Sequence, residues 1–200
     1  MNALPLSAAT DPTAPRQIEL PGDRDVWIFI CAELFAFGLF FVVYALYRAP
    51  RVDLFNTSQL VLDRSLGALN TIFLLSSSWA VASAVRAARQ DRIAAVPRYL
   101  ALGIALGLAF MVVKYFEYGA KFRAGITMNT DMFYMFYFAL TGIHLMHVIA
   151  GTVILIVMCV NARAAHYRAG NTRSLEAGAS YWHMVDLLWI FLFALLYLLR

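Results

Sequence analysis

Charge is scarce in this sequence. Only 14% of its 200 residues are Asp, Glu, Lys or Arg, against about 25% in an ordinary soluble domain. So few polar groups cannot face water on every side, which argues against a soluble enzyme and a disordered regulator. Cysteine is nearly absent too. Cys31 and Cys159 stand alone inside apolar runs, with no CxxC or Cys/His spacing, so a secreted disulfide scaffold is excluded and both read as small buried packing residues. The net charge of +4 comes without a Lys/Arg run, and no nucleic-acid partner is expected. What is abundant is apolar bulk: 62% hydrophobic residues, with fifteen Phe, ten Tyr and four Trp. The length allows one compact unit. Together these figures describe an integral membrane protein.

Residues 1–24 are polar, contain four prolines and lack the basic start, apolar middle and cleavage site of a signal peptide, so they read as a retained flexible cytoplasmic tail. Residues 25–200 form the membrane domain. Five apolar stretches follow the tail, over roughly 26–47, 66–85, 98–119, 132–160 and 180–199, each meeting the about 20 residues that a helix needs to cross a bilayer core. Membrane strands would instead alternate in polarity over about ten residues, and nothing here alternates. The expected fold is an all-α bundle of five transmembrane helices. Nine basic residues fall on the side of the tail and the second and fourth connections (Arg16, Arg24, Arg86, Arg89, Arg92, Arg98, Arg163, Arg168, Arg173) and six on the other (Arg48, Arg51, Arg64, Lys121, Arg123, Arg200). The excess places the N-terminus in the cytoplasm. The short connections leave no room for a soluble catalytic domain. Gly103 and Gly107, and the small residues Ser76, Ser77, Ser78, Ala80, Ala82, Ser83 and Ala84, are candidate surfaces for close helix approach. No internal repeat is evident, which counts against a transporter built from inverted halves.

The informative residues are ionisable groups at membrane depth, because a charge at the centre of a lone helix costs about 2.5–3.5 kcal/mol even on the gentler insertion scale. Glu33 lies among Phe29, Phe35, Phe37, Phe40 and Phe41, and reads either as a proton-handling or lipid-sensing carboxyl or as a protonated Glu bonded to another helix. Lys114 and Glu117, three apart on one helix face, can pair; near a helix end, they read as a structural ion pair at the membrane edge. His144 and His147 have the same spacing. They are candidate metal or haem ligands, but their helix offers no third ligand, and hydrogen bonds to other helices are the alternative. His183 and Asp186 form a polar clamp between helices, since no nucleophile accompanies them as a catalytic triad would need. Tyr181, Trp182 and Trp189 beside them suit the aromatic belt and packing near the interface.

Specific runs then become recognisable. Thr141-Gly-Ile-His-Leu-Met-His-Val148 followed by Gly151, Tyr181-Trp-His-Met-Val-Asp-Leu-Leu-Trp189, Ala32-Glu-Leu-Phe35 and Glu117-Tyr118 together resemble subunit III of the haem–copper oxidases, in order and spacing over roughly residues 25–200. The resemblance implies a non-catalytic subunit with no cofactor of its own, haem and copper or iron residing in partner subunits. Its partners would be a subunit I-like catalytic chain, companion membrane subunits and membrane lipids including bound phospholipid, in the cell's inner (plasma) membrane. Carried over, Glu33 would be the family's buried glutamate and, with Glu117, lipid- or proton-related. Lys114, His144, His147, His183 and Asp186 would be structural polar positions. The chain lacks the first helix pair of seven-helix members, as do five-helix quinol oxidase subunits, so the lipid cleft that pair helps to form is in doubt. Lys114 stands where oxidase members tend to carry an uncharged polar residue. With the short length and Gly-Ile-His-Leu-Met-His, it resembles the branch associated with nitric oxide reductase. Against this stand two alternatives: an independent proton or ion transporter, and an assembly factor.

Overall fold

The computed structural model describes residues 24–199, so the tail read over 1–24 lies, except for Arg24, outside the described residues. Six α-helices follow one another: α1 (Arg24–Arg48), α2 (Val52–Leu60), α3 (Arg64–Arg89), α4 (Val96–Arg123), α5 (Met132–Arg163) and α6 (Arg173–Phe193). A short 3₁₀ turn, Ala49–Arg51, separates α1 from α2 at Pro50, whose missing N–H interrupts the α-helical ladder. A π-helical turn, Ala194–Leu198, extends α6. Among the described residues five runs are long and apolar enough to cross a membrane, α1 and α2 counting as one, so these residues form a five-span all-α membrane protein. No strand occurs among the described residues. α5 is 32 residues long, about 48 Å at 1.5 Å per residue, and so must tilt or project beyond a hydrocarbon core of about 30 Å.

The helix ends show how the sequence sets these boundaries. Asp63 caps α3 by accepting hydrogen bonds from the N–H groups of Ser65 and Leu66. Asp131 caps α5 through the N–H of Tyr134 and also accepts from the Ser58 hydroxyl at 2.6 Å, which ties α2 to the start of α5. Helices α3, α4 and α5 stop in the same way. A residue at positive φ (Asp91, Gly125 and Ala165) turns the chain back so that two N–H groups close on the last carbonyls. The Asp91 carboxylate then accepts from the Ala169 N–H, joining the α3–α4 and α5–α6 turns at one end of the bundle.

Helices α3, α4, α5 and α6 pack in a closed ring, each against the next and α6 back against α3, while α1 lies outside, mainly on α6. The ring closes tightly because small residues face large ones. A side chain at Gly103 would meet Val81 at 3.0 Å, and one at Gly107 or Gly151 would strike the Trp182 ring at 2.9 and 2.7 Å. Trp182 is thereby held between α4 and α5, and its indole N–H donates to Ser77, whose hydroxyl donates to the Gly103 carbonyl. Trp182 and Trp189 are fully buried. They serve in packing: ring-sized glycine notches draw Trp182 inward, and Trp189 packs edge-on to Phe110.

Only a narrow stripe of α1 is covered: Ile30, Phe37 and Tyr44, spaced seven apart. Cys159 is buried, but Cys31 lies on the outward face of α1, where an apolar solvent rather than packing accounts for it. The π turn after α6 leaves the Leu195 carbonyl available, and Tyr44 and Gln59 both donate to it. Arg48 donates to Leu199. Gly107→Val and Gly151→Val are expected to destabilise the purified protein by about 1–3 kcal/mol through overpacking against the Trp182 ring. Gly142→Ala, with nothing within 4 Å of the added methyl, should leave stability unchanged or raise it. Detergent or thermal unfolding followed by circular dichroism distinguishes these outcomes.

Candidate functional site

The polar groups within the bundle fall into three sets, all assembled from more than one helix. The largest centres on Lys114 of α4, which is 0% exposed. Its ammonium donates to Glu117 at 2.9 Å, to the Tyr137 hydroxyl at 3.3 Å and to the Tyr197 hydroxyl at 3.2 Å, so all three N–H groups are used. Both tyrosines in turn donate to the other Glu117 oxygen, at 2.7 and 2.6 Å. Lys121, one turn further on, approaches that same oxygen at 3.6 Å. Four aromatic rings surround the Lys114 ammonium at 5.2–5.8 Å: Tyr118, Tyr137, Trp189 and Tyr197. The expected ion pair forms and is enclosed within the bundle. α5 and the π turn of α6 supply Lys114 with the hydroxyl and ring partners that water would otherwise provide. The π turn carries Tyr197, which binds the ammonium, and follows the helix that carries Trp189, which borders it.

The second set joins α1 to α5. His147 Nε2 lies 3.2 Å from Glu33 Oε2, with the two side chains 17% and 25% exposed. The other ring nitrogen, Nδ1, is 2.9 Å from the Ile143 carbonyl. A carbonyl only accepts, so Nδ1 carries a proton, and the Nε2–Oε2 contact must hold a further one, on either the ring or the carboxyl. His144, three residues earlier, is turned elsewhere. It is fully enclosed between Phe110 and Trp189, at 5.8 and 5.4 Å between ring centroids. The two histidines thus have different surroundings, and no group of three or more His, Cys, Asp or Glu suited to a metal occurs among the described residues.

The third set joins α3 to α6. The Ser78 hydroxyl is 2.5 Å from His183 Nδ1 and also faces the Asp186 carboxyl. A serine does therefore accompany His183 and Asp186, contrary to the expectation from sequence. The order is not that of a nucleophilic triad, because Ser78 stands between the imidazole and the carboxylate instead of at the end of the line. The arrangement fastens two helices.

Sequence reasoning singled out Glu33, Lys114, Glu117, His144, His147, His183 and Asp186, and six of the seven meet a polar partner on another helix or one turn away. It missed Lys121, Tyr137 and Tyr197. No local signal marks the two tyrosines, whereas Lys121 could have been found from its i+4 spacing to Glu117.

Comparison with known proteins adds a separate line. Residues 23–200 match a family model described as cytochrome c oxidase subunit III. The chain is 32% identical over 175 residues to a cytochrome c oxidase subunit 3 of Synechocystis sp., covering 87% of this chain and 74% of that protein. It is 34% identical over 182 residues to that of Branchiostoma lanceolatum, covering 87% and 68%. A heme-copper oxidase subunit I+III of Aeropyrum pernix is 29% identical over 179 residues, which are 86% of this chain and 22% of the fused protein. None of these relatives is named as a nitric oxide reductase component, and that branch gains no support from them.

Breaking a buried ion pair from one side costs on the order of 3–5 kcal/mol. Glu117→Leu is expected to approach that figure, since it strands Lys114 with only neutral oxygens. Lys114→Met should cost less, because Glu117 keeps Lys121 and both tyrosine donors. Unfolding midpoints of the two purified variants give the order directly, and the reverse order would contradict the geometry.

Proposed function

Because the chain belongs to the cytochrome c oxidase subunit III family, we propose that it serves a respiratory haem–copper complex as a structural subunit that carries no electrons itself. The observation that carries this reading is the match over residues 23–200 together with the way the interior charges are used. Lys114, Glu117, Tyr137 and Tyr197 satisfy one another, which makes that cluster a rigid polar lock between three helices. The family has no catalytic metal centre of its own; haem and copper or iron belong, on this reading, to the partner chains.

The partner is a subunit I-like catalytic chain. A relative named as a heme-copper oxidase subunit I+III, which carries both subunits in one polypeptide, supports this. The exposed apolar residues of α1, among them Ile28, Phe35, Leu39 and Leu46, offer a surface for a neighbouring helix or for lipid. Oxygen is the acceptor favoured by the named relatives. The Glu33–His147 pair, partly open on the outer side of the bundle and holding a proton between α1 and α5, is the group suited to support proton supply or lipid contact. The excess of basic residues toward the tail supports a cytoplasmic N-terminus in a cell's inner membrane.

Purification from native membranes in a mild detergent tests the reading. The chain is expected to be colourless alone and to come down with haem-containing partners; a stable haem-free oligomer that moves protons in vesicles would overturn it. In the intact complex, Glu33→Ala should lower turnover or hasten its decay over many cycles while the haem absorption spectrum stays unchanged. Undiminished turnover would leave Glu33 a packing role only.

A further inference from the structure

Helix α1 is fastened at two heights, and the fastenings differ in kind. At its C-terminal end the Tyr44 and Arg48 side chains donate to the Leu195 and Leu199 carbonyls. Arg48 also donates to Asn56, and the Tyr44 ring packs edge-on to Phe55 and Phe136. In none of these contacts do two atoms compete for one proton. About 16 Å nearer the N-terminus, at 1.5 Å per residue, the fastening is the Glu33–His147 contact at 3.2 Å. Here α1 is loosely seated. A groove of about 250 Å³ separates Trp27, Ile30 and Leu34 from Ser180, Met184 and Leu187 of α6. Atoms that face a gap have no packing partner on that side, so dispersion holds this half of α1 less firmly than a closed interface would. Phe29 stacks on Tyr181, and Phe37 meets the His147 ring edge-on.

The Glu33–His147 contact requires a proton. Nδ1 donates to the Ile143 carbonyl, so Nε2 either carries a second proton or accepts one from the carboxyl. With that proton the pair is neutral as a whole, whichever atom holds it. Without it, the Nε2 lone pair faces a carboxylate oxygen, and the pair carries a net negative charge within a membrane span. Attraction then becomes repulsion. Among the described residues Glu33 has an ion-pair contact with His147 alone, so no cation relieves the charge. The other titratable groups around the pair are otherwise engaged. From α6, the Tyr181 hydroxyl donates to the His147 carbonyl at 3.4 Å, and His183, beside Leu34 in the groove, is held by Ser78. From α5, His144 is enclosed between Phe110 and Trp189. A further proton would charge the pair positively yet keep an N–H to oxygen bond, so release belongs to the alkaline side. We propose that the Glu33–His147 pair is a proton-operated latch. With its proton in place it seats the N-terminal half of α1 on α5 and α6; loss of the proton releases that half, which pivots about the Tyr44–Arg48 end. The seated state binds the proton more tightly than the released state, so the seated population falls as pH rises.

Double electron–electron resonance on the full chain in liposomes tests the latch. One spin label goes on the native Cys31, exposed on α1, and one on Leu108→Cys, exposed on α4, while Cys159 is buried. Between about pH 5 and pH 9 a single distance should give way to a longer one. The ratio of released to seated chains should rise by up to about tenfold per pH unit, the slope of one proton. Glu33→Gln, whose amide donates to Nε2 without a removable proton, should hold the short distance throughout. Glu33→Leu, with no proton to lose, should show a distance distribution that does not vary with pH, and it serves as well if Glu33→Gln proves unstable. With Cys31→Ser, labels across the ring at Ile72→Cys and Ile156→Cys, both exposed, should keep one distance at every pH. An unchanging distance in the native sequence over that range, the same pH dependence in Glu33→Gln or Glu33→Leu, or an equal change across the ring would each overturn the proposal, the last by placing the motion in the bundle.

Discussion

A charge within a bilayer has to find its partner inside the protein, and the rest of this structure is arranged around that constraint. Lys114 is the clearest case. Its three N–H groups meet one carboxylate and two hydroxyls, and four rings close around it. Those partners come from three helices. The geometry that satisfies Lys114 therefore also sets how α4, α5 and the end of α6 pack. The π turn is part of the same solution, since it falls on the segment that carries Tyr197 and frees the Leu195 carbonyl for Tyr44 and Gln59. One buried cation is in this way connected to the seating of α1 and α2 on the far side of α6.

The spans were legible in the sequence because twenty consecutive apolar residues have few other uses, and the important polar residues were legible because each one in such a run is costly. Their partners were not. Tyr137 and Tyr197 look like any other tyrosines in a chain that has ten, and nothing local predicts that both will donate to Glu117. Ser78 was one of several small residues on α3 until the packing of α6 placed it against His183. The roles of Trp182 and Trp189 stayed open between belt and packing for a related reason. A belt tryptophan and a core tryptophan have the same sequence signature, and what separates them is a facing glycine on another helix, here Gly107 and Gly151 against Trp182. The break at Pro50 and the π turn likewise depend on local backbone adjustments that composition does not show.

Family membership and interior chemistry meet at one point. A subunit with no redox centre contributes by holding its shape and presenting a surface, and both are visible here. The ring α3–α6 is locked by glycine notches and saturated polar contacts, whereas α1 is held by a narrow stripe and by the Glu33–His147 and Tyr44 bonds. The chain has two lysines, Lys114 and Lys121, seven residues apart on one helix and both close to Glu117. Amine labelling of the folded protein in membranes, read residue by residue by mass spectrometry, measures whether the lock exists. Lys121, 6% exposed and near the helix end, should react faster than Lys114, which is 0% exposed and should become reactive only on unfolding, as expected for a group opened by global rather than local fluctuation. Labelling of Lys114 in the folded protein at a rate comparable to Lys121 would contradict the account.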